Sequence, residues 1–289
     1  MSYLKIEHAN AKAPVQLYYE DRGQGTPVVL IHGWPLSSVM WEYQVEGLVS
    51  SGFRVIAYDR RGFGMSSRPN DGYDYDTLAE DLKALLDELD LQNVTLVGFS
   101  MGGGEVARYF GKYGGERVSK VVLIGAVTPF MLKTTDNPDG IDASFFDEMM
   151  AEMKKDRIAF LDNFGKQFFG VSLINKPVST PFLEFYRTIA AMASPRATQE
   201  CAKSFSRTDF RKDLKAIQVP TLIIHGDADK TVPIEVSGDK TAKAIKQATY
   251  IRYGGAPHGL FYTERERLNQ DLIQFIGVQV ETPEILGKR

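Results

Sequence analysis

Five short apolar runs recur along the chain at separations too long for hairpins. "PVVLIHG" (27–33), "FRVIAYD" (53–59), "VTLVGFS" (94–100), "VSKVVLIGA" (118–126) and "PTLIIHGD" (220–227) are continuous in Val, Ile and Leu rather than alternating. Such runs suit strands of a parallel sheet that is covered on both faces. Between the second and third, "DTLAEDLKALLDELDL" places Leu78, Leu82, Leu85, Leu86 and Leu89 on one face, with Thr77 and Glu80 at capping-box spacing. A helix is therefore expected to cross over the sheet there. The alternation predicts an α/β fold, a mostly parallel sheet with helices on both faces. "VQLYYEDRG" reads instead as part of an antiparallel edge hairpin ahead of the parallel strands.

The rhythm stops after Ala126. From 128 to 212 the sequence is rich in Phe and Met and helical in pattern, and the strand pattern returns only at Pro220. An α/β connection needs one helix and loops of roughly 2–6 residues, so this stretch is expected to be an inserted helical cap. The core is then 1–127 together with 213–289. The last ten residues, "VETPEILGKR", read as a loose tail without chemistry.

Composition narrows the function. The chain has 289 residues, 43% apolar and 25% charged, and a formal net charge of −3 with both signs interspersed. That leaves no basic face for nucleic acid and no polybasic run for an anionic membrane. No apolar run approaches the 18 or so residues of a membrane span, and a cytoplasmic protein is expected. The single cysteine, Cys201, cannot form an internal disulfide and reads as packing, and the four histidines are scattered rather than set at metal-ligand spacing. A homo-oligomer is left open.

"VGFSMGGGEV" (97–106) sets Ser100 among four glycines, between an apolar run and a helix start. Glycine inside regular structure costs roughly 0.5–1 kcal/mol relative to alanine, so this density needs a cause. The G-x-S-x-G spacing at the end of a buried strand and ahead of a helix is that of a nucleophile elbow, in which Gly98 and Gly102 are required because a Cβ would collide with the neighbouring strand or helix. Gly103 and Gly104 let the following helix pack close to the sheet, and its N-terminus directs partial positive charge at the site.

A serine nucleophile needs a base and an acid that orients it. His8 precedes the first strand pattern, and His32 and His225 sit at the ends of apolar runs, where hydrogen-bonded structural histidines are common. His258, in "GGAPHGLF", lies in a Gly/Pro loop that suits a mobile, reachable imidazole. "HGDADKTVP" offers Asp227 and Asp229 at the same sheet edge as Ser100. The chain order Ser, Asp, His matches the α/β-hydrolase order. Oxyanion donors are expected at the N–H of Met101, which follows the nucleophile, and at the N–H of Trp34 in "HGWPLS", where Gly33 allows the turn and Pro35 has no N–H to give.

Together, "HGWPLSSVMWEYQVEGL", "DRRGFGMSS", "GFSMGGGEVARYF", "LIGAVTPF", "IHGDADKTVP" and "GGAPHGLF" resemble the cofactor-free bacterial haloperoxidases, or perhydrolases, and the related aryl esterases. The resemblance spans residues 15 to 277. It implies the triad Ser100, Asp229 and His258, making Asp227 a turn residue, and oxyanion donors Trp34 and Met101. It also implies acyl and alcohol pockets lined by Val127, Phe164, Phe168, Phe205, Thr231 and Ile234, with Met131 and Met149 where relatives often carry Phe. Pro35 would help to aim the Trp34 carbonyl at hydrogen peroxide. The implied substrates are a small ester or carboxylic acid, with hydrogen peroxide as co-substrate and no cofactor or metal. Lactone, amide and carbon–carbon bond hydrolases share such a triad, as do some ligand-binding signalling proteins of this fold.

Overall fold

The computed structural model describes residues 2–7 and 14–277. His8 and the tail "VETPEILGKR" lie outside the described residues. Among the described residues eight strands form one sheet: β1 (Ser2–Ile6), β2 (Val15–Arg22), β3 (Pro27–Ile31), β4 (Arg54–Tyr58), β5 (Val94–Phe99), β6 (Val118–Ile124), β7 (Thr221–Gly226) and β8 (Thr249–Tyr253). Their spatial order is β1-β2-β4-β3-β5-β6-β7-β8. β1 and β2 pair antiparallel and β2 continues antiparallel onto β4, while every pair from β4 to β8 is parallel. The five apolar runs are β3 to β7, and every residue of β5 and β7 is buried.

Among the described residues ten α-helices accompany the sheet: α1 (Glu42–Ser50), α2 (Tyr75–Glu88), α3 (Met101–Tyr113), α4 (Ala143–Lys155), α5 (Arg157–Phe168), α6 (Thr180–Met192), α7 (Pro195–Arg207), α8 (Gly238–Ala244), α9 (Leu260–Thr263) and α10 (Arg265–Gly277). The helix expected from the Leu spacing is α2, which buries Leu78, Leu82, Leu85 and Leu86. Its cap differs from the expected Thr77–Glu80 box. Asp74 is the N-cap and accepts from the Thr77 N–H at 3.0 Å, while Glu80 pairs with Lys112 on α3 at 2.5 Å. A carboxylate one residue ahead of the helix outcompetes a threonine already inside its first turn. Helices α4 to α7 all fall between β6 and β7, with α5 packed on α6 and α4 on both α5 and α7. Among the described residues no helix is long and apolar enough to cross a membrane.

The register aligns Ile31 with Gly98, Gly98 with Leu123, and Leu123 with Ile223. The loops after β3, β5, β6, β7 and β8 consequently open at one edge of the sheet, the carboxyl edge where ligands bind in open α/β folds.

Candidate active site

β5 runs directly into Ser100, which adopts φ 54° and ψ −118°. A side chain other than glycine is costly there, and the surroundings must hold it. They do so by close approach. A Cβ on Gly98 would lie 2.6 Å from the Gly102 carbonyl oxygen, and one on Gly102 would lie 2.4 Å from the Ile31 carbonyl oxygen. Gly103 is pressed on Ala126 and Gly104 on Phe210 and Tyr75, so α3 can start at Met101 tight against the sheet.

The candidate base, His258, comes from the loop after β8. His258 Nε2 stands 2.9 Å from Ser100 Oγ, and its Nδ1 stands 2.5 Å from Asp229 Oδ2. In the neutral ring this geometry puts the proton on Nδ1, facing the carboxylate, and leaves Nε2 to accept from the serine hydroxyl. Asp229 Oδ1 accepts from the N–H groups of Thr231 and Val232, each at 2.8 Å. Burial pushes this carboxyl up, yet the His258 charge and hydrogen bonds from His225 and His258 outweigh it and hold the group below the usual carboxylate range. Asp227 is exposed and accepts from the Gly255 N–H at 2.6 Å, joining two loops.

His258 is not the mobile, reachable imidazole expected from its loop. It is 1% exposed, with Phe99 and Phe168 ring centroids each 4.8 Å from its own. Gly and Pro shape the loop, but aromatic rings from β5 and α5 fix the side chain. His32 and His225 are fully buried and held by hydrogen bonds. His32 Nε2 accepts from the Arg60 N–H at 2.9 Å, and His225 Nε2 lies 2.9 Å from the Val232 carbonyl. Burial, with the Arg60 charge beside it, lowers His32 far below the ordinary imidazole value, keeping it neutral.

The loop after β3 brings Trp34 to the other side of Ser100. Gly33 opens the turn as expected, its carbonyl accepting from the Leu36 N–H at 3.0 Å, without a left-handed φ. It is required because a Cβ would lie 2.6 Å from the Phe99 ring and 3.1 Å from Ser100 Cβ. Among the described residues, no acceptor is present for the N–H of Trp34 or of Met101. The Trp34 side chain docks upward: Nε1 donates to the Thr198 carbonyl of α7 at 2.9 Å, and the ring packs on Phe164 and Phe205 at 5.1 and 5.5 Å between centroids.

A cavity of about 240 Å³ opens over Ser100. Val127, Phe164, Phe205 and Thr231 line it, as do Met131 and Met149. Phe168 and Ile234 do not. Phe168 lies behind, between the His258 ring and a smaller crevice beside Pro35, and Ile234 is buried in the loop after β7. The sequence reading missed Phe160, Val232 and a polar mouth of Glu148, Glu152, Asn163 and Gln167. Those four polar residues are exposed and read in sequence as ordinary solvated helix faces; their spacing on α4 and α5 was the available signal. Among the described residues no group of three or more His, Cys, Asp or Glu is arranged to hold a metal ion.

Residues 26–265 match the family model described as alpha/beta hydrolase fold. The chain is 49% identical over 277 residues to a Synechocystis sp. protein provisionally named a non-heme chloroperoxidase, covering 96% of this chain and 100% of that one. It is 41% identical over 272 residues to a bifunctional esterase/perhydrolase from Acinetobacter calcoaceticus, covering 93% and 99%. Among solved structures it is similar to a bromoperoxidase from Bacillus anthracis, with a TM-score of 0.91, 51% identity, and coverage of 96% and 100%. The chain therefore belongs to the α/β-hydrolase family, in the group of the non-heme haloperoxidases and esterase/perhydrolases.

Proposed function

We propose that this protein hydrolyses small carboxylic esters through an acyl-enzyme on Ser100 and also passes the acyl group to hydrogen peroxide. The observation that carries the reading is the relay from Asp229 through His258 to Ser100, at 2.5 and 2.9 Å. Ser100 Oγ attacks the carbonyl carbon as His258 Nε2 takes its proton, and Asp229 steadies the resulting imidazolium. The oxyanion receives the Trp34 and Met101 N–H groups, which are otherwise unengaged among the described residues. His258 then protonates the leaving alcohol. Water deacylates Ser100 to give the acid, or hydrogen peroxide does so to give the peracid. The peracid oxidises halide to hypohalous acid in solution and returns to the carboxylic acid.

A cavity of about 240 Å³ walled by Phe, Met and Val suits a short acyl chain or a small aryl group better than a long lipid tail. We assign residues 128–212 as the cap that supplies this wall, and Pro35 as a residue that tunes partitioning between water and peroxide. A cytoplasmic location belongs to the same reading, and the lone, buried Cys201 fits it. The test is release of p-nitrophenol from p-nitrophenyl acetate, followed past one equivalent, with and without peroxide. Sustained turnover with peracid formation is expected. A single burst that stops at one equivalent per chain would overturn the enzymatic reading.

A further inference from the structure

His225 is the penultimate residue of β7, four residues before Asp229, and is completely buried. Its Nε2 faces two oxygens, the Val232 carbonyl at 2.9 Å and Asp229 Oδ2 at 3.3 Å. Its Nδ1 is buried with no hydrogen-bond partner among the described residues. The backbone of α8 closes that side: a Cβ on Gly238 would lie 2.7 Å from Nδ1. Two acceptors before one nitrogen and none before the other fix the proton on Nε2. The other tautomer would turn a lone pair toward both oxygens and bury an unpaired N–H, and the imidazolium would bury the same unpaired N–H.

We infer that His225 is a positioning residue for the triad, a neutral donor of fixed tautomer that holds Asp229 Oδ2 from the side away from His258. The inference rests on the triad reading above. One proton shared between the Val232 carbonyl and Oδ2 ties the 229–232 loop to the end of β7. With Oδ1 already engaged by the Thr231 and Val232 N–H groups, this second donor on Oδ2 leaves the carboxylate one direction in which to serve His258. It also withdraws charge from that oxygen, so Asp229 stabilises the His258 imidazolium less than a freer carboxylate would. Other charged groups on the surrounding elements are engaged elsewhere or exposed. Asp227 holds the Gly255 N–H, Asp239 holds Tyr250 and Arg252, Lys240 pairs with Asp139, and Lys230 and Glu235 are exposed.

The experiment compares the wild type with His225→Leu, which cannot donate, and His225→Gln, whose amide N–H can reach the same two oxygens. Active sites are first counted by stoichiometric phenolate release from a p-nitrophenyl phosphonate. Per counted site, His225→Leu should lose about two- to tenfold in kcat on p-nitrophenyl acetate, the worth of one hydrogen bond, with KM unchanged. The acid limb of its kcat/KM profile, which reports the base of the free enzyme, should move to higher pH. His225→Gln should return both toward the wild type. Should the leucine variant not fold, His225→Asn replaces it, because its shorter amide cannot reach Oδ2. An unchanged acid limb, or equal displacement in the donating and non-donating variants, overturns the inference and makes His225 packing alone. Failure of wild type itself to release phenolate in a Ser100-dependent way overturns the triad reading and this inference with it.

Discussion

Arg60 Nε and Glu105 Oε2 stand 2.8 Å apart, with side chains 1% and 0% exposed. Glu105 lies on α3, five residues after Ser100, and also receives the Tyr58 hydroxyl. Arg60 reaches on to the His32 carbonyl at 2.8 Å, so the pair joins α3 to the start of the loop that carries Trp34. Burial drives the Glu105 carboxyl well up, and the guanidinium beside it is what makes the buried site tolerable.

Removing one member should therefore cost more than the pair is worth. Glu105→Leu leaves a buried guanidinium without its acid and is expected to lower unfolding free energy by about 3–5 kcal/mol. Arg60→Met combined with Glu105→Leu should recover much of that loss. Urea denaturation of the single and double variants measures it, and additive losses would show that the two side chains are not coupled.

Ser100→Ala and His258→Ala should each reduce ester hydrolysis by about 10⁴- to 10⁶-fold, and the double variant should be no worse than either single one. The shared 2.9 Å contact is the reason: neither group works without the other. Steady-state rates on p-nitrophenyl acetate decide it, and a multiplicative loss in the double variant would mean separate roles.

The two aspartates of "GDAD" should separate cleanly. Asp229→Asn keeps the shape of the carboxylate but presents His258 with an uncharged amide, and a loss near 10⁴-fold in kcat is expected. Asp227→Asn touches an exposed contact to the Gly255 N–H and should cost no more than about 1 kcal/mol of stability, with little change in rate. Reversed effects would move the acid to Asp227.

Where the sequence was legible, backbone geometry had narrowed the choice of residues. Four glycines beside Ser100 mark contacts of 2.4 to 2.7 Å that no Cβ survives, and continuous Val/Ile/Leu runs mark strands buried on both faces. β8 was missed because Thr249 to Tyr253 is an edge strand of mixed exposure, without a continuous apolar run or clean alternation. The pocket wall was legible only in part. Phe164 and Phe205 reach the cavity while Phe168, one turn beyond Phe164 on the same helix, turns to His258, and nothing in a helical pattern of aromatics distinguishes the two destinations. The burial of His258 was hidden for the same reason: its packing partners are 159 and 90 residues away in sequence, on β5 and α5.

Cys201 should be inert in the native protein. It is fully buried on α7, and burial raises its thiol to about 12, from an ordinary value near 8.5. The fold thus favours the protonated thiol. Unfolded chains ionise first, so this contribution to stability is complete below about pH 8.5 and is lost as pH rises toward 12. A disulfide reagent at pH 8 should find no thiol in the folded enzyme and one per chain in urea. Rapid labelling without loss of activity would place Cys201 at an accessible surface.

The tightest test of the elbow is a single methyl group. Gly102→Ala would place a Cβ 2.4 Å from the Ile31 carbonyl oxygen, on rigid β3 backbone rather than at the end of a flexible side chain. Relief requires α3 to move away from β3, and α3 begins at Met101, whose N–H is the proposed oxyanion donor. Overpacking of this kind costs about 1–3 kcal/mol in stability, and losing one oxyanion donor costs about 10²–10³ in kcat. The variant should therefore lose kcat out of proportion to its stability, with KM less affected. Gly114→Ala, at the far end of the same helix, is the control: a Cβ there meets nothing within 4 Å, although its φ of 64° carries its own strain. Chemical denaturation and single-turnover acylation on both proteins separate the two effects. A stable Gly102→Ala enzyme with an undiminished acylation rate would show that α3 and the Met101 N–H can shift without consequence, and would remove that donor from the proposed mechanism.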